Sequence, residues 1–309
     1  MSIGLCCQYL EPIVKKSGTV EYKNILGEKN LQYGQYINNK YSLKDIKDTW
    51  IQNVNNLFTS LIKIHQAGFK LFRVSSNLFP LYDSLTQELN DSIEVKNILK
   101  KIGHFAIQNS IRLTCHPDQF VVISSNNQEV INKSIKMLEH HAWIFDNMDL
   151  PYTPYYAINI HGGAKGNSDI LINSILSLKD NVKSRLTLEN DERSYSVSDL
   201  FKVYQQTQVP ILYDSHHHSF NEDGLSSEKA FELSCNTWAS IKPLTHLSNT
   251  DPALKNGSFT ERRKHSDYVH YIPDYQFDAN NQDQIDIEFE FKMKNLAIKK
   301  AVQDFGIKM

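Results

Sequence analysis

No stretch of the 309-residue chain approaches the roughly 20 consecutive apolar residues that span a bilayer. The opening residues, MSIGLCCQYL, lack the basic start and long apolar segment of a secretory signal. Charge of one sign is not in excess either: 33 Lys and Arg face 35 Asp and Glu, a formal net charge of −2. A global basic field for nucleic acid is thereby excluded, and any positive surface must be local. Cysteine is scarce. Cys6, Cys7, Cys115 and Cys235 form no CxxC pair and no secreted framework, so they read as reduced thiols of a soluble, cytoplasmic protein. No glycine-rich fingerprint follows the first apolar run, which disfavours a doubly wound nucleotide-binding sheet. Breaks in composition and low-complexity segments are also missing, so residues 1–309 read as one domain.

What the chain does have is alternation. Short apolar runs occur at Ile3–Cys7, Phe69–Val74, Ile111–Cys115, Tyr156–Ile160, Leu186–Leu188, Ile211–Tyr213, Leu244–Leu247 and Ile285–Glu290. Helical patterns separate most of them. One opens at Ser42-Leu43-Lys44-Asp45 and carries Ile46, Trp50, Val54, Leu57, Leu61 and Ile64. Others run from Ile93 to Asn109, through Ile135, Leu138 and Phe145, from Asn167 to Ser184, from Ser196 to Thr207, from Ala230 to Ser240, and onward from Asn295. Eight strands alternating with helices predict a single (β/α)8 TIM barrel. The residues between the first run and Leu43 read as a polar stretch, and Ala253 to Arg263 as an inserted loop over the barrel mouth.

In such a barrel the site forms at the C-terminal ends of the strands. There the chain places His116, His161, Glu189, Asp214 with His217 just beyond, His246 and Glu290, and His265 follows in the loop after strand seven. Imidazole and carboxylate at six strand ends would leave costly buried polar groups unless a cation paired with them. Eight such groups exceed the needs of one ion and predict a centre of two or three metals at the C-terminal face. Mixed nitrogen and oxygen ligands suit Mn2+, Zn2+ or another divalent ion alike. His65, His104, His140, His141 and His270 lie on helices or in a loop and are set aside, as are His216 and His218 beside His217.

Several motifs now carry a resemblance. They are Phe72-Arg73-Val74-Ser75-Ser76-Asn77, Cys115-His116-Pro117-Asp118-Gln119, Asn159-Ile160-His161-Gly162-Gly163, Leu188-Glu189-Asn190-Asp191, Tyr213-Asp214-Ser215-His216-His217, His246-Leu247-Ser248 and Asp286-Ile287-Glu288-Phe289-Glu290-Phe291-Lys292. In order and over nearly the whole chain they resemble the ultraviolet-damage endonuclease family, itself related in fold to endonuclease IV and to xylose isomerase-like barrels. The resemblance implies a manganese enzyme that nicks double-stranded DNA on the 5′ side of pyrimidine dimers, 6-4 photoproducts and some other lesions. It implies the same eight metal ligands. Gln119 and the following Phe120 match the pair that probes damaged bases, and Gln8 and Tyr9 fall near a second probing element. The chain departs from the family where Phe120 replaces a frequent Tyr, where Leu5 follows the first-strand Gly, and where Leu244 stands in place of a modified Lys, with Lys242 nearby.

The reaction fixes the remaining roles. Glu189 stands between the His116/His161 pair and the Asp214 group and is the expected bridging carboxylate. Lys292 joins it as a catalytic cation, while Arg73 and Lys264 are expected on DNA phosphates. Phe120 has two readings: a stacking ring, or the head of the apolar run Val121-Val122-Ile123. The rival functions are a sugar isomerase or epimerase on the same barrel and a non-catalytic metal- or DNA-binding protein. The expected enzyme is a monomer with no membrane partner, working at the nucleoid.

Overall fold

Local signals in the chain set its longest helix. Ser42 caps residues Leu43–Gln66: its hydroxyl accepts from the Asp45 N–H while the Asp45 carboxylate accepts from the Ser42 N–H. Ile46, Trp50, Val54, Leu57, Leu61 and Ile64 then fall on one face, and all six are buried. Ser196 and Asp199 make the same reciprocal cap on Val197–Thr207. The expected helix from Asn167 to Ser184 is two pieces, Ser168–Leu176 and Asp180–Lys183. At the break, the Ser177 hydroxyl donates to Ser174 O instead of leaving the turn to the backbone alone.

A computed structural model describes residues 1–278 and 284–307. The strands are β1 (Ser2–Cys6), β2 (Glu11–Val14), β3 (Val20–Lys23), β4 (Leu71–Val74), β5 (Arg112–Cys115), β6 (Ile158–His161), β7 (Leu186–Glu189), β8 (Ile211–Asp214), β9 (Leu244–Leu247) and β10 (Asp286–Phe289). All but β2 and β3 close into one parallel barrel in the order β1-β10-β9-β8-β7-β6-β5-β4. With helices between successive strands this is a single (β/α)8 barrel, and each of the eight expected strands is present. The antiparallel β2–β3 hairpin was not expected; it lies in the polar stretch and exposes Val14, Val20 and Tyr22. Among the described residues no helix is long and apolar enough to cross a membrane.

The barrel floor is closed by charge. Arg112, fully buried at the N-terminal end of β5, donates to Asp286 Oδ2 at 3.1 Å, and its guanidinium stacks on the Tyr155 and Trp238 rings. The other Asp286 oxygen accepts from Ser2 N and from Lys242 Nζ at 2.7 Å. Lys242 is therefore spent at the end opposite the mouth, and Leu244 is a buried apolar residue.

Candidate metal centre

Strand parity builds the site. Within β6 and β7, His161 pairs in register with Glu189, and between β8 and β9 Asp214 pairs with His246, so four of the expected ligands meet on adjacent strands. Gly162 and Gly163 follow His161 directly. A Cβ on Gly162 would enter the Tyr195 ring, and Gly163 turns through φ +87° against the Ser124 hydroxyl. That close turn is open to glycine alone and lets the β6 end stop at His161.

Seven of the eight expected residues fall into three groups with ligand atoms within 4.8 Å of one another: His116, His161 and Glu189; Glu189, Asp214 and His217; Asp214, His246 and Glu290. Glu189 is common to the first two groups and Asp214 to the last two. The eighth, His265, lies alongside, its Nε2 3.8 Å from Glu290 Oε2. Two buried atoms in these groups, Asp214 Oδ2 and His161 Nδ1, have no hydrogen-bond partner. Orphaned acceptors in a ring of imidazoles and carboxylates are what divalent ions satisfy, and the three groups fit such ions.

Electrostatics keeps the carboxylates charged. Burial pushes the Glu189 carboxyl up, but His246, His161, His116 and His217 together outweigh it and hold the group well below the usual range. Glu290 is likewise held far down, against burial, by Arg73, His246 and His265. His246 shows the converse: burial disfavours its charge, yet Glu189 and Glu290 lift it to about 10. The pairing is reciprocal. An incoming cation meets anions already formed.

A second layer, which sequence reasoning missed, stands two residues before four of the expected ligands, His116, His161, Glu189 and Glu290. Asn159 Nδ2 donates to Glu189 Oε2 at 2.5 Å, and Thr187 donates to Asn159. The Thr114 hydroxyl donates to Glu288, which Arg73 Nε also reaches at 2.7 Å. Period-two alternation backwards from those four ligands would have found Thr114, Asn159, Thr187 and Glu288.

Arg73 departs from its expected place on DNA phosphates. Its guanidinium is turned into the barrel and its donors are committed to Glu288 and Glu290, because a charged side chain inside a buried strand must be paired. Lys292 is exposed at the rim, its ammonium 3.6 Å from Asp267. Lys264, Gln8 and Gln119 are exposed and Tyr9 is half-buried against the core. Phe120 is 71% exposed while Val121 is 4% exposed, so the ring stands clear of the apolar run it precedes. His216 and His218 serve loops, donating from Nε2 to Arg263 O and Leu225 O. The stretch expected as a loop over the mouth contains a turn at Pro252–Leu254 and a short helix, Phe259–Arg262. Phe259 packs edge-on against Phe220, and Arg262 covers the Phe220 ring at 5.4 Å.

Comparison with known proteins agrees with this geometry. The UV DNA damage endonuclease of Nostoc sp. is 37% identical over 261 residues, 82% of this chain and 77% of that one. The UV DNA damage endonuclease of Deinococcus radiodurans is 29% identical over 84% of each chain. The crystal structure of SacUVDE superposes with a TM-score of 0.80 at 27% identity, over 99% of this chain and 98% of that one. The family model described as UV-endonuclease UvdE matches residues 11–307, and the chain belongs to that family.

Proposed function

We propose that the protein is a metal-dependent DNA repair endonuclease that nicks the backbone 5′ to ultraviolet photoproducts, pyrimidine dimers and 6-4 photoproducts among them, and to some other lesions. Membership of the family supports an endonuclease of ultraviolet-damaged DNA. The observation that carries the metal reading is the sharing of Glu189 and Asp214 among three ligand groups. His116, His161, Glu189, Asp214, His217, His246, His265 and Glu290 would hold two or three ions, with Mn2+ the proposed metal and Zn2+ or another divalent ion meeting the same ligand set. Bound there, divalent ions supply a neutralised phosphate, a hydroxide at neutral pH and a stabilised leaving oxygen.

The chain's own residues do the rest. Glu189, an anion oriented by Asn159, would be shared between two of these ions. Lys292 and Lys264, both exposed, attract the phosphates beside the cut. Gln119 and Phe120 on one side, with Gln8 and Tyr9 on the other, fill the space left when damaged bases leave the stack. The protein works as a monomer in the cytoplasm, on double-stranded DNA. The sugar isomerase reading uses the same barrel but is not favoured, since the full-length likeness is to endonucleases.

The test is a plasmid assay. With Mn2+ the protein is expected to relax ultraviolet-irradiated supercoiled plasmid and leave unirradiated plasmid intact, with end-labelled oligonucleotides placing the cut 5′ to the lesion. Equal nicking of both plasmids, or none with any divalent ion, would sink the proposal.

A further inference from the structure

Two of the candidate ligand histidines hand one ring nitrogen to the main chain. His116 Nδ1 lies 2.9 Å from Pro117 O and His265 Nδ1 2.7 Å from Glu290 O, while Nε2 of each faces a carboxylate of the cluster. A carbonyl can only accept, so it fixes the proton on Nδ1 and leaves Nε2 free to bind a cation. His246 is turned the other way. Its Nδ1 faces the cluster, 3.0 Å from Glu189 Oε1, 3.6 Å from Glu290 Oε1 and 3.9 Å from Asp214 Oδ2. Its Nε2 meets no carbonyl but two side chains of opposite character, Glu288 Oε2 at 3.1 Å and Arg73 Nη2 at 2.7 Å.

Those two neighbours make incompatible demands. A carboxylate accepts only and a guanidinium donates only. With the proton on Nε2, His246 donates to Glu288 and turns a bare Nδ1 into the cluster. With a proton on Nδ1 as well, the ring donates to Glu189 and offers the cluster no lone pair. Only the first arrangement can ligate. We propose that Glu288 is the positioning residue that sets His246 for cation binding through Nδ1, and that Arg73 is a resident cation on Glu290 that opposes a metal ion in the same ligand group.

The surroundings fit those roles. Glu288 is fully buried, so its charge cannot turn to water; Thr114 donates to its Oε1, and Arg73 Nε donates to the Oε2 that faces His246. Arg73 reaches Glu290, a member of the same ligand group as His246, and so stands where it opposes a second positive charge. Neither residue belongs to a ligand group itself. Outer carboxylates of this kind orient ligating histidines, and their loss lowers metal affinity about 10–100-fold.

The inference rests on the metal reading above, and its test separates the two. Dialysed protein is titrated with Mn2+ against a chelator. Glu288→Gln is expected to weaken one bound ion by about 10–100-fold, whereas Arg73→Gln is expected to tighten it. Opposite signs are the mark of the arrangement, because simple damage to the fold would weaken binding in both variants. Weakening in both, or a change in neither, overturns the inference while leaving the metal reading intact; absence of any divalent-cation binding in the unaltered chain overturns both. The unaltered chain offers a second measurement. In Zn2+-loaded protein labelled with 15N-histidine, the His246 resonances, assigned through His246→Gln, are expected to show a ligated Nδ1 and a protonated Nε2, and ligation through Nε2 overturns the inference.

Discussion

Asn190 grips Asp214 by both atoms of its side-chain amide: Nδ2 donates to Asp214 O at 3.0 Å and Oδ1 accepts from Asp214 N at 2.8 Å. A side chain thus continues the β7–β8 pairing one step past its end. The Asn190 carbonyl lies 3.0 Å from His217 Nδ1, so one residue steadies two neighbouring ligands. Asn190→Ala leaves two buried backbone groups of Asp214 without partners, at about 1–3 kcal/mol each. The expected outcome is a lower melting temperature together with weaker Mn2+ binding. A variant that melts like the parent would show that water replaces the amide.

Glu189→Gln keeps the side-chain shape and removes the charge common to two ligand groups. The amide can no longer serve two cations, and the four imidazoles around it lose their counter-ion. Circular dichroism is expected to be unchanged, with metal stoichiometry reduced and plasmid nicking lost. Full stoichiometry and activity in this variant would rule out a bridging role.

The barrel was legible because each of its strands is an apolar run flanked by turn residues, and the clustered imidazoles and carboxylates because they stand where those runs stop. The supporting layer was harder to see. Asn159, Thr114 and Glu288 lie inside the strands, where a polar residue reads as ordinary strand body unless parity is counted back from a ligand. Arg73 carried its own signal, since a guanidinium between Phe72 and Val74 in a buried strand has to find carboxylates. The β2–β3 hairpin left none: Ile13, Val14, Val20 and Tyr22 are exposed, so no buried face imposes an alternation on the sequence. The choice of Nδ1 over Nε2 in each histidine depends on groups distant in the chain and could not be read from spacing.

The barrel floor gives a stability prediction. Arg112→Met removes one cation from Asp286 while leaving that carboxylate buried with Ser2 N and Lys242 as its partners among the described residues. Breaking one side of a buried pair costs about 3–5 kcal/mol. Denaturant unfolding is expected to show a loss of that order with metal binding unaltered, because the floor and the mouth are opposite ends of the barrel. A loss under about 1 kcal/mol would mean that Lys242 alone balances Asp286.

The four thiols are expected to be slow nucleophiles. Burial pushes Cys7 up to about 11, against Arg73, and Cys235 to about 12; Cys6 and Cys115 are raised as well. Thiolate is the reactive form, so at pH 8 each thiol of the folded protein should alkylate at least about a hundredfold more slowly than a free cysteine. Iodoacetamide labelling followed by mass spectrometry should find four unmodified thiols before denaturation and four modified ones after it. Rapid labelling of Cys7 in the folded state would show that the loop after β1 opens.

Lesion reading is expected to depend on Phe120 more than on Tyr9. A protein with net charge −2 draws little selectivity from overall attraction to DNA, so discrimination has to come from the lower cost of unstacking damaged bases. Some side chain must then occupy the opened stack. Phe120, four residues beyond His116 and 71% exposed, presents a ring with nothing in the core to hold it back. Tyr9 differs, because it packs against the core and its removal also loosens the loop that carries Gln8. Base stacking on an aromatic is worth about 1–3 kcal/mol by alanine substitution. Phe120→Ala is therefore expected to weaken binding to photoproduct-bearing duplex by about that amount, with undamaged duplex, melting temperature and metal content unchanged. Tyr9→Ala should weaken lesion binding and lower the melting temperature together. Equal weakening by Phe120→Ala on damaged and undamaged duplex would mean that the ring only rests on the backbone, and would move lesion reading to Gln119 and Gln8.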